Sequence, residues 1–129
     1  MAGKITVSTI NDSSGVLATQ NGMTGIAKAW VNFNGAGSAT IRSSFNVSSV
    51  TYNGAGDYTI NFTTAMANAN YAISGSSGWN DPSGTAALLF WQRSYTTAPT
   101  TSACRVGTTY GSSNASLDSA YVSVIINGA

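Results

Sequence analysis

The chain has no histidine, no glutamate and one cysteine among its 129 residues, and only 7% of it is charged. Without histidine, the Ser-His-Asp and Cys-His arrangements and the common zinc sites are excluded. Without glutamate, a glycosidase pair could come only from Asp12, Asp57, Asp81 and Asp118, which are far apart in the chain. There is no Ser-x-x-Lys and no phosphate-cradling P-loop. Hydrolase chemistry is therefore not expected, and the chain reads as a non-enzyme. No run approaches the ~20 apolar residues of a membrane span, and no charged segment followed by an apolar one opens the chain. Membrane insertion and signal-directed secretion are both unexpected. The five cations, Lys4, Lys28, Arg42, Arg93 and Arg105, are scattered, and the net charge is +1. Nucleic-acid binding needs clustered phosphate-neutralising cations, so it is not expected either.

Cys104 has no partner for a disulfide. With Ser102 and Val106 it alternates with Ala103 and Arg105, as a small buried hydrophobe on a strand does. Asn80-Asp81 and Asn68-x-Asn70 supply too few oxygens for a calcium loop and read as turn residues. No metal or cofactor is expected. So little charge also leaves little electrostatic protection against association, which points to a chain packed against copies of itself or inside an assembly.

Serine, threonine, asparagine and glycine occupy the polar positions, and Val, Ile, Thr and aromatics the alternating ones. That balance favours strands over helices. Two copies of Asn-Gly-Ala-Gly, at 34–37 and 53–56, each separate two short alternating runs. Asn34-Gly35 and Asn53-Gly54 are expected to turn two hairpins, because both residue types tolerate positive φ. A four-strand meander or the start of a Greek key follows. Ala27, Ala29, Val31 and Phe33 form one face of the first strand, with Ile26, Lys28, Trp30 and Asn32 on the other. Trp30 then faces either a second packed layer or another subunit. Ala39, Ile41 and Phe45 are expected inside on the next strand, with Arg42 outside.

Tyr58, Ile60 and Phe62 alternate as a half-buried strand, and Tyr71 with Ile73 begins another. Residues 74–84, 93–101 and 107–116 read as loops from their Gly, Ser and Pro content. The continuous apolar run 86–91 reads as a strand buried on both faces, and 121–126 as a central or interfacial terminal strand. Lys4 to Ile10 also alternates, and residues 11–25 are loop-like. The expectation is an antiparallel β-sandwich, jelly-roll-like or Greek-key, of eight or nine short strands without substantial helix. Residues 1–25 would be an N-terminal strand and arm, and 26–129 the sandwich domain.

The run AKAWVNFNGAGSATIRSSFNVSSV, then NGAGDYTINFTTAM and NANYAISG, resembles a module of tailed-phage tail-fibre and tail-associated virion proteins. The likeness covers Ala27 to Gly75 and continues more weakly over Leu117 to Ile126. It implies a virion structural protein made in the host cytoplasm without a signal peptide, forming a homotrimer and touching other virion proteins. The family's usual proline before Ala-Asn-Tyr is absent at Ala69-Asn70-Tyr71. Members also carry a long N-terminal part for tail attachment, whereas Met1 here stands shortly before the module. Two readings follow: a fibre-tip subunit with host-binding loops, or a capsid decoration (head-fibre) protein held by residues 1–25.

The likeness fades at the three loops, where binding commonly resides on a shared scaffold. Trp79-Asn80-Asp81 is the candidate ligand site there. A flat indole covers the apolar face of a pyranose, and the neighbouring amide and carboxylate take its hydroxyls. Tyr95 and Tyr110 would join it if the three loops share one end of the sandwich, and the ligand would be a host-surface glycan. The alternative for Trp79 is a plug of its own sandwich end or a subunit contact. Arg93 and Arg105 are candidates to pair with Asp81 or Asp118 in a structural role.

Overall fold

Eight β-strands and no helix account for the residues described by the computed structural model, namely 3, 26–78, 88–92, 97–111, 113 and 115–128. In order they are β1 (Ala27–Asn34), β2 (Thr40–Phe45), β3 (Val47–Gly54), β4 (Asp57–Phe62), β5 (Ala72–Gly78), β6 (Leu88–Gln92), β7 (Ala103–Tyr110) and β8 (Tyr121–Asn127). They form two antiparallel sheets of four, ordered β2-β1-β8-β5 and β3-β4-β7-β6. The sheets meet where β2 lies near β3 and β5 near β6. Taken around both layers, β8, β5, β6 and β7 stand in the 4-1-2-3 order of a Greek key. The expected strand at Lys4 to Ile10 lies outside the described residues, as does the proposed arm.

Both Asn-Gly-Ala-Gly segments do join hairpin strands. The hairpins sit on different sheets, however, so the four strands are not a meander. Asn46 makes the crossing. It takes a left-handed φ of 54°, which asparagine tolerates better than most residues. Its side chain then fixes the corner, donating to the Lys28 and Thr64 carbonyls at 3.1 Å each and accepting from Thr64 N at 2.7 Å.

One core serves both sheets. Val31, Phe33, Val122, Val124 and Ile126 come from the first, and Tyr58, Ile60, Phe62, Cys104 and Val106 from the second. The rings of Phe33 and Tyr58 meet edge-on across the layers at 5.0 Å, and those of Phe62 and Tyr71 at 5.7 Å. The Tyr71 hydroxyl donates to the Thr100 and Ala103 carbonyls, so its polar tip is satisfied at the rim. Cys104 is buried as expected, and burial pushes its thiol up to about 12.

The other departures from the sequence reading have local causes. Phe45 is exposed instead of internal. A bulge at Arg42 sets Asn32 opposite Ser43 and Phe33 opposite Ile41, and one extra residue inverts the alternation beyond it. The 86–91 run is not buried on both faces: β6 is an edge strand with Leu89 and Trp91 exposed. Residues 74–78 and 107–110 are strand, not loop. Their small side chains suit close packing, and a Cβ on Gly75 would stand 2.6 Å from the Phe90 ring.

Candidate functional site

Strand direction divides the molecule into two ends. The chain enters β1 at one end, which also carries the β2–β3 corner, the β4–β5 segment and the end of β8. The other end gathers both Asn-Gly-Ala-Gly turns, the last residues of β5 and β7, and the first of β6 and β8. Gly78, from which the chain runs on to Trp79, pairs with Tyr121 there, and Leu88 pairs with Tyr110. Gln92, from which it runs on toward Tyr95, pairs with Val106 toward the opposite end. Trp79, Asn80, Asp81 and Tyr95 themselves lie outside the described residues. Tyr110 is described, half-buried, with its amide donating to the Ala115 carbonyl at 2.8 Å.

The turn end is built on Asp118. One carboxylate oxygen accepts the Gly56 amide at 2.8 Å and the Tyr58 hydroxyl at 3.1 Å, and the other accepts the Tyr52 hydroxyl at 3.0 Å. The Tyr58 hydroxyl also lies 3.1 Å from the Gly35 carbonyl, and Gly35 N donates to the neighbouring Ser119 carbonyl at 2.8 Å. The buried Ser119 hydroxyl donates to the Gly78 carbonyl at 2.6 Å. Both turns and the start of the Trp79 segment are thus tied to residues 118–119. Burial first, with Asp118 adding, raises the Tyr58 hydroxyl well above the tyrosine range, and the hydrogen bond to Asp118 raises Tyr52.

This arrangement explains two glycines. A Cβ on Gly35 would collide with the Tyr58 hydroxyl and stand 2.7 Å from the Ser119 carbonyl. Gly56 has φ 61°, and a Cβ there would collide with the Thr108 carbonyl and Leu117 backbone. The positive φ values fall on Gly37 and Ala39 in the first turn and on Gly54 and Gly56 in the second. Of the four expected turn residues, Gly54 therefore has the expected positive φ. Asn34 instead accepts the Ala36 amide through its side chain, Gly35 serves close approach, and Asn53 donates to Asp57 and Thr59.

Arg105 does not pair with Asp118. Register places Asp57 diagonally beside it on β4, and its Nε and Nη2 donate to the Asp57 carboxylate at 2.7 and 2.6 Å. Both described aspartates accept hydrogen bonds from the protein's own donors. Among the described residues, no three Cys, Asp, Glu or His side chains gather as metal ligands would.

The surface of the turn end is aromatic and polar. Tyr121 is half exposed with the Arg42 guanidinium 4.5 Å over its ring, and Arg42 also donates to the Ala120 carbonyl at 2.7 Å. Tyr52 is also exposed, near the end of β3, with its ring 6.0 Å from that of Tyr58. Neither tyrosine was singled out from sequence. Tyr121 lies in an apolar-looking terminal strand, and Tyr52 gains meaning only from Asp118, 66 residues away. Comparison with protein-family models, characterised proteins and solved structures returned no match to this chain.

Proposed function

We propose that this chain is a small structural subunit of a tailed-phage virion, a fibre-tip domain whose turn end contacts a glycan on the host surface. The observation that carries the reading is polarity. Tyr52, Tyr110, Tyr121 and the lead into Trp79 gather at the end opposite the entry to β1, on a base fixed by Asp118. Rings on a rigid frame suit sugar binding, because they offer apolar area at little conformational cost and hydroxyls at the margin. The likeness of Ala27 to Gly75 to fibre modules supplies the biological setting.

The test is direct. Fluorescently labelled chain should decorate host cells, and Trp79→Ala with Tyr110→Ala should cut that binding at least tenfold while the β-sheet spectrum is unchanged. Virion imaging should place the domain at the distal end of a tail appendage. Density on the capsid lattice would overturn the reading in favour of a decoration protein.

A further inference from the structure

The outward face of the β2-β1-β8-β5 sheet holds large apolar side chains where a solvated sheet would hold polar ones. Trp30 pairs with Phe45 on β2 and with Ile125 on β8, so the three form one row across adjacent strands. They are 36%, 40% and 45% exposed. The next row is Ser43, Asn32, Ser123 and Ser76, and Asn32 is already joined to Ser123 by a 2.8 Å hydrogen bond. No acidic or basic residue stands in either row. Arg42, the guanidinium nearest this face, lies at the turn-end margin over Tyr121.

We propose that this face is where a second copy of the chain docks, with Trp30 at the centre of the contact. Charge favours a copy over a foreign partner. Like-charged faces repel their own duplicates, whereas an uncharged face meets itself without cost, and it lacks the charge pattern that selects a different protein. Area agrees. Four strands about 4.8 Å apart, with about 3.3 Å per residue, make a face of roughly 19 by 23 Å. Two such faces bury on the order of 1,000 Å², where specific interfaces begin. Sheet-on-sheet stacking at about 10 Å would bring opposing Trp30 and Phe45 rings into contact. This assembly goes beyond the glycan reading and does not depend on it, since Trp30, Phe45 and Ile125 lie toward the end away from the turns.

The experiment is a mass measurement by light scattering on the full chain, with Trp30→Lys as the probe. Wild type should scatter as a whole multiple of 13.1 kDa, and Trp30→Lys should fall to 13.1 kDa with its β-sheet spectrum retained. Should Trp30→Lys fail to fold, Ser76→Lys places the same charge on an exposed position of the face. Thr59→Lys, on the outside of the other sheet, should leave the mass unchanged. A monomeric wild type, a lysine variant of this face that keeps the full mass, or dissociation by Thr59→Lys would each overturn the proposal. Host-cell binding is a separate readout, so failure of one reading is distinguishable from failure of the other.

Discussion

The two sheets share one interior, but the outer face of β3, β4 and β7 is built differently from that of β2, β1 and β8. Outside β3, β4 and β7, the polar side chains satisfy one another. Asn61 donates to Ser49 and Thr51 at 3.0 Å each, Asn53 to Thr59 at 2.9 Å, and Arg105 clamps Asp57. Outside β2, β1 and β8 the corresponding rank is Phe45, Trp30 and Ile125, whose apolar area no hydrogen bond can satisfy. Both faces have the same alternation and comparable strand lengths. What differs is what stays open: the polar face leaves little unpaired when the chain folds, and the apolar one leaves the area on which the proposed second copy would dock. Surface rows that cross strands therefore say more about assembly than overall hydropathy does.

The interior sets the scale for that contrast and should give the largest effect. Burial raises the Cys104 thiol to about 12 and also raises the Tyr58 and Tyr71 hydroxyls. The folded chain then holds protons that the unfolded chain releases. Stability is full below the unfolded thiol value near 9 and falls as pH rises toward 12. At about pH 11 the loss through Cys104 alone should be about 2.5–3 kcal/mol, visible as a lower urea midpoint. A midpoint flat from neutrality to pH 11 would contradict it.

Breaking the polar face should come next. Asp57→Ala removes the bidentate partner of Arg105 and an acceptor of Asn53, and should cost about 2 kcal/mol in urea unfolding. The partial exposure of Arg105 keeps this below the cost of stranding a fully buried charge. Asn61→Ala should cost least, about 1 kcal/mol, because water replaces part of what Ser49 and Thr51 lose. If Asn61→Ala proved the costlier of the two, the polar face would rest on its amide ladder and not on its ion pair.

Local structure was legible in the sequence, and spatial neighbours were not. The alternation in β1, β4 and β8 and the two repeated turn segments located strands and hairpins, because they report on residues a few positions apart. The sheet to which each hairpin belongs depends on one backbone angle at Asn46, and the exposure of Phe45 on one inserted residue at Arg42. Neither leaves a periodic trace. The Gly and Ser content of 74–84 and 107–116 reads as loop, yet pairing with β8 makes a strand of 74–78, and pairing with β4 and β6 one of 107–110. At the candidate site, the aromatic content of its segment is what nominates Tyr110. Asp118 could not be assigned, because its partners come from β3, β4 and the turn between them, some 60 residues earlier.

The placement of β1 between β2 and β8 bears on the time course of folding. β1 pairs along nearly its whole length with a strand that begins 94 positions after Ala27, at Tyr121. As the chain emerges during synthesis, the first hairpin can form early, but one edge of β1 stays open until the last strand is released. The two ordered turns wait equally for Asp118. Closure is therefore a late event that depends on contacts distant in sequence, which makes folding slow and leaves apolar strands unsheltered meanwhile. Loss of a few residues from β8 would remove the centre of a sheet, not trim its edge.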